Sequence, residues 1–129
     1  MEVREVVKFY FDALGIGEFD KALSFFTAEA KWNQPGYNKF SGLKGNLHEI
    51  ANMFKGIMAD TSGYMTVRPN GAMTESGSFV AVPVQFIAKK GSKSFDLGGM
   101  DLFEVKAGKI VQVWTFSDDQ LVDDEFWGD

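Results

Sequence analysis

Apolar positions along the chain change period several times, and each change marks an element. Val3, Val6, Val7, Tyr10, Ala13 and Leu14 recur at helical spacing, so the chain opens on an amphipathic helix that Gly15 and Gly17 end. Phe19, Ala22, Leu23 and Phe26 share the face of a second, shorter helix. In "AEAKWNQPG" the period drops to two: Ala30, Trp32 and Gln34 alternate with Lys31 and Asn33, and Pro35-Gly36 stops a short strand. "YNKFSGLKG" reads as a loop. From Lys44 to Asp60 the period is helical again, with Leu47, Ile50, Ala51, Phe54, Ile57 and Met58 on one side. Strands are then predicted near Tyr64–Thr74, Ser78–Lys89, Lys93–Lys106 and Lys109–Ser117, with turns at Gly77, Gly91-Ser92 and Ala107-Gly108. Pro83 conflicts with its strand unless a bulge or an unpaired position accommodates it. The closing "DDQLVDDEFWGD" predicts one helical turn whose Leu121, Phe126 and Trp127 pack back.

Helices grouped ahead of an antiparallel meander give an α+β fold. No repeat or linker interrupts the 129 residues, which predicts one domain spanning 1–129, long enough for a core and an internal cavity. One residue breaks the alternation. Phe95, Leu97, Gly99, Asp101, Phe103 and Val105 share a strand face that is otherwise apolar or small. A buried, unpaired carboxylate is costly to ionise, so the pKa of Asp101 is expected to rise. In its neutral form it would donate a hydrogen bond to a ligand carbonyl; ionised, it would act as a base. A third possibility is that it bonds to Tyr10, Thr115 or water and only orders a pocket.

Composition narrows the chemistry. Thirteen Phe among 129 residues imply a core of large side chains or a hollow lined by them. The absence of Cys removes disulfides, thiolate nucleophiles and Cys-ligated metals. A lone His48, beside rather than within its helix's apolar stripe, argues against a metal site or a Ser-His-Asp triad. The net charge of −5 is concentrated in Ser117–Asp129, which holds six acids and no Lys or Arg. No basic stripe suits nucleic acid, and no apolar run approaches the roughly 20 residues of a membrane span. The mixed charges of "MEVREVVKFY" are unlike a signal peptide. The expectation is a cytoplasmic protein whose partners are small molecules and other protein chains.

Several segments in order resemble one family. "GEFDKALSFFTAEAKW", "QPG", "FSGLKG" and "MDLFEVKAGKIVQVW" are similar to the nuclear transport factor 2-like superfamily, which includes ketosteroid isomerases and SnoaL-like polyketide cyclases. "WNQPGYNKFSG" and "FSDDQLVDDEFWG" resemble a SnoaL-like subgroup without an assigned reaction. The resemblance covers essentially the whole chain. It implies a cone: a curved antiparallel sheet wrapped around N-terminal helices, of the cystatin-like type, with an interior pocket. It also implies a homodimer through the convex sheet face, which the apolar Met100 and Leu102 opposite Asp101 favour.

Carried over residue by residue, the resemblance places Tyr10 on the isomerases' donating tyrosine. Asp101 falls on the aspartic acid those enzymes keep protonated in an apolar site, the established case of such an acid. Their general base corresponds to Gln34, which cannot accept a proton near neutral pH. The cyclases' acid/base aspartate corresponds to Thr115, and their histidine on the preceding strand to Asp101. The candidate catalytic residues are therefore Asp101 and Tyr10. The candidate substrate-binding residues are Trp32, Gln34, Phe54, Met58, Phe86, Phe103 and Thr115, with no cofactor and no metal. Two function classes stay open. One is a cofactor-free isomerase, cyclase or dehydratase acting on a small, partly apolar carbonyl compound. The other is a non-catalytic module that binds a small apolar ligand and dimerises.

Overall fold

The computed structural model describes all 129 residues, Met1–Asp129. Helices α1 (Val3–Gly15) and α2 (Phe19–Leu23) lead into strand β1 (Phe26–Gln34), followed by β2 (Gly42–Lys44) and helix α3 (Leu47–Asp60). Strands β3 (Met65–Pro69), β4 (Thr74–Ser76), β5 (Phe79–Lys90), β6 (Lys93–Lys106) and β7 (Lys109–Ser117) come next, and helix α4 (Gln120–Trp127) closes the chain. All strands join one curved sheet in the order β2-β1-β7-β6-β5-β3, with β4 pairing beside β3 along β5. The fold is α+β, as the element pattern predicts.

The differences from the sequence reading have local causes. Phe26 is not the last residue of a helix but the first of β1, because Ile110 N–H donates to the Phe25 carbonyl at 2.8 Å and draws the backbone into the sheet. A helix of five residues has too few internal bonds to resist that ladder. The loop expected at "YNKFSGLKG" contains β2, which pairs antiparallel with the end of β1. The strand expected over Tyr64–Thr74 divides into β3 and β4. The helix expected from Lys44 begins at Leu47, capped by the Asn46 side chain, which accepts from Glu49 N–H at 2.9 Å. The sheet is not wholly antiparallel: β1 runs parallel to β7, with Trp32 opposite Val113, which the long connection between them permits.

Pro83 sits in β5 without a bulge, its register to Met100 of β6 unbroken. Its carbonyl accepts from Asn70 N–H at 2.9 Å, so the missing Pro N–H faces the gap between β3 and β4, where no ladder needs it. The C-terminal segment forms a full helix rather than one turn. Leu121 does not pack back; it is 70% exposed. Phe126 stacks on Phe95 with centroids 4.5 Å apart, and Trp127 meets Phe40 edge-on at 5.2 Å.

The main core lies between α1 and the concave sheet face. Val6, Val7, Tyr10, Phe11 and Ala13 of α1 are buried against Val80, Val82, Val84, Phe103, Val105 and Val113. The Tyr10 ring meets Phe11, Phe26 and Phe103 edge-on at 5.1, 5.4 and 5.6 Å. This packing sets the floor from which the cavity opens. Asp60, at the end of α3, pairs with Lys39 and Lys90 and ties that helix to the loop after β1 and to β5.

Candidate functional site

A cavity of about 320 Å³ opens between the concave sheet face and the helices. Its wall is mostly apolar. The strand alternation of β6 turns Asp101 inward with Phe103 and Val105, and the register sets it opposite Val82 on one side and Thr115 on the other. Asp101 is 2% exposed. The Thr115 hydroxyl donates to its Oδ1 at 2.8 Å. Burial pushes its pKa up to about 7, against the smaller opposing effect of the Thr115 bond. Oδ2 has no protein partner of its own and, when protonated, would donate into the cavity.

Tyr10 reaches the same cavity from α1. Burial holds its phenol well above the ordinary value, and the nearby Asp101 charge pushes the same way. It is therefore a neutral donor at any physiological pH. Trp32 and Gln34 share a face of β1, and the indole Nε1–H donates to Gln34 Oε1 at 2.8 Å. That bond leaves the Gln34 amide N–H₂ as its free group, so Gln34 presents a donor to the cavity.

Of the predicted site residues, Tyr10, Trp32, Gln34, Phe54, Met58, Phe86, Asp101 and Thr115 line this one cavity. Phe103 does not. It is fully buried beneath the cavity floor, held edge-on by Tyr10 and Phe11 at 5.6 Å each. Strand alternation places Phe103 on the correct face, but Tyr10 lies over it. His48 is exposed on α3 and meets only Asn52, at 3.3 Å.

Four polar lining residues lie outside the sequence-based candidates: Thr66, Arg68, Ser117 and Asp123. Arg68 lines the cavity from β3 and forms no ion pair. Asp123 lines it from α4, 8% exposed, and accepts from Trp127 Nε1–H at 3.0 Å. The signal for Asp123 is the i,i+4 spacing to Trp127, hidden in a run of acids that reads as a solvated tail.

The family model of the SnoaL-like domain matches residues 7–113, most of the chain and its sheet up to the middle of β7. The chain belongs to the SnoaL-like family. Among solved structures, this SnoaL-like chain is similar to a protein of unknown function with a cystatin-like fold from Xanthomonas campestris, at 29% identity. That match has a TM-score of 0.95 and covers 100% of both chains. It is also similar to Bal32a from a soil-derived mobile gene cassette, at 24% identity and a TM-score of 0.91, covering 97% of this chain and 95% of that one. TerC, co-crystallised with polyporic acid, shares the fold at 16% identity and a TM-score of 0.84, with 96% of each chain covered. Among curated proteins nothing matches the chain. No helix of this SnoaL-like protein is long and apolar enough to cross a membrane.

Proposed function

We propose that this protein binds a small, partly apolar carbonyl compound in its cavity and acts on it as a cofactor-free isomerase, cyclase or dehydratase. The observation that carries the reading is Asp101: a deeply buried carboxyl with one donor, facing a mostly apolar space. At neutral pH a substantial fraction of it is protonated, and the acid O–H would donate to a carbonyl oxygen or to the oxyanion that develops there. Tyr10 and the Gln34 amide would add further donors. The cavity has the size of a small-ligand site, and TerC, a protein of the same fold, was co-crystallised with polyporic acid. A competing reading, a binding module without catalysis, draws on Gln34, whose amide cannot take a proton at the position where the isomerases it resembles hold their base.

Acetophenone is a suitable probe. Its binding should quench tryptophan fluorescence, since Trp32 and Trp127 both line the cavity. The infrared stretch of the bound carbonyl should move to lower frequency in the unmodified protein. In Asp101→Leu, with the ketone still bound, it should return towards the unbonded value. A stretch that does not respond to this substitution removes Asp101 as the donor.

We also propose that the protein is a homodimer through the convex sheet face. Phe79 and Met100 are each 38% exposed and Phe116 52%, and Phe79 lies 6.3 Å from Trp114 on the same face. Such a continuous apolar patch is unusual on a monomer. Sedimentation at micromolar concentration should give twice the 14.3 kDa of one chain, and Phe116→Glu should reduce it to a single chain. A monomer in the unmodified protein excludes this interface.

A further inference from the structure

The cavity holds a second carboxylate to which the carbonyl-binding reading assigns no task. Trp127 Nε1–H donates to Asp123 Oδ1 and Gln120 Nε2–H to Asp123 Oδ2, each at 3.0 Å. A carboxylate oxygen accepts two hydrogen bonds, so each oxygen keeps a lone pair for another partner. Both donors belong to α4, at i−3 and i+4, so the carboxylate is oriented before any ligand arrives. Asp123 takes part in no ion pair. The charged groups around it are Asp124 on its own helix, Lys90 of β5, which donates to the Trp127 carbonyl at 3.1 Å, and Arg68 and Asp101 on the cavity wall.

We infer that Asp123 is the proton acceptor of this cavity and that the substrate is a carbon acid, a carbonyl compound bearing a C–H beside its carbonyl group. The inference rests on the carbonyl-binding reading above and extends it. An Asp123 oxygen takes the proton. The C–H bond breaks, its electron pair forms the enolate C=C, and the carbonyl π pair moves onto oxygen. Asp101 O–H stabilises that oxygen, and Asp123 returns the proton as the oxygen pair re-forms C=O: to the same carbon in a simple enolate, or, where a second C=C is conjugated with it, to the far end of that C=C, whose double bond shifts. No oxidant or cofactor is needed, and the base that Gln34 cannot supply comes from α4.

The two environments suit these roles. Burial raises both carboxyls, but Asp101 has one donor to offset it, whereas Asp123 has two, Gln120 and Trp127, that favour its ionised form. No hydrogen bond joins the two carboxyls: Asp101 is held by Thr115 and Asp123 by Gln120 and Trp127, so they do not share a proton.

Nitrobenzisoxazole tests this directly. A base removes its ring C–H, the N–O bond breaks, a nitrile forms, and the electron pair leaves on oxygen as a yellow phenolate. The unmodified protein should catalyse the elimination faster, per mole, than free acetate at the same pH. Asp123→Asn should lower the rate at least tenfold with acetophenone binding retained. Gln120→Met removes a donor to the carboxylate, so it should move the midpoint of the pH–rate profile upwards, a shift that a purely structural Asp123 would not produce. Bound acetophenone without elimination overturns the inference and leaves the carbonyl reading standing. So does activity that survives Asp123→Asn, or a midpoint that Gln120→Met leaves in place. If acetophenone does not bind, the carbonyl reading fails and the inference falls with it.

Discussion

Asp101→Asn should stabilise the protein at pH 8 by about 2–4 kcal/mol, and the unmodified protein should lose stability as the pH rises from about 4 to about 7. In the unfolded chain Asp101 ionises near the ordinary value of 3.8; in the folded chain it does so at about 7. Between those values the folded state holds the proton that the unfolded state has released. Stability therefore falls with rising pH across the window and levels off above it. The full penalty approaches about 4 kcal/mol, since one pKa unit corresponds to about 1.4 kcal/mol. Asparagine avoids the buried charge and can still accept the Thr115 hydroxyl, but its N–H₂ lacks a partner, so part of the gain is lost. Asp123, also raised, slopes the same way. Asp60 and Asp124, both lowered by their donors, lose their contribution only below the ordinary carboxylate range, outside this window. Urea unfolding at pH 5 and pH 8 measures the difference. A flat profile in the unmodified protein would mean that Asp101 is solvated, and the donor role would fail with it.

Gly99→Ala should cost about 3 kcal/mol or more and lower Tm by roughly 10 °C. Gly99 faces inward on β6, two residues before Asp101, where β7 and the Phe86 ring close over it. An added Cβ would overlap the Phe116 carbonyl oxygen and Phe86 Cε2. A backbone carbonyl within a paired strand cannot swing aside, so the sheet itself must shift. Gly98, its neighbour, provides the contrast. There the Cβ would meet chiefly the Asp118 carboxylate, the free end of a surface side chain that can rotate away. Gly98→Ala should therefore cost less than about 1 kcal/mol. Calorimetry of the two variants side by side decides the point, and equal losses would refute the steric account. The effect matters for function because the same close approach fixes the wall from which Phe86 and Asp101 reach the cavity.

Local pattern was enough for the α+β class, the long strands β5, β6 and β7, and the inward placement of Tyr10, Asp101 and Thr115. Those assignments depend on local period, and local period survives in a single chain read residue by residue. The Asp101–Thr115 pairing did not follow from the turn: the Lys106–Lys109 pair at Ala107-Gly108 alone would set Asp101 opposite Trp114, and the bulge between Glu104 and Val105 moves the register by one so that Thr115 faces it. The rest depended on contacts between elements far apart in the chain. Phe26 passed from helix to strand when β7 offered its backbone a partner across 84 residues of sequence, from Phe26 to Ile110. Phe103 became core rather than wall because the Tyr10 ring, from another element, covers it. Asp123 left the acidic tail for the cavity because Phe126 and Trp127 anchor α4 against Phe95 and Phe40 and turn the carboxylate inward. Which face of a terminal helix meets solvent is set by what lies beneath it; the i,i+4 spacing of Asp123 and Trp127 marks one side of α4 but not the direction in which that side faces.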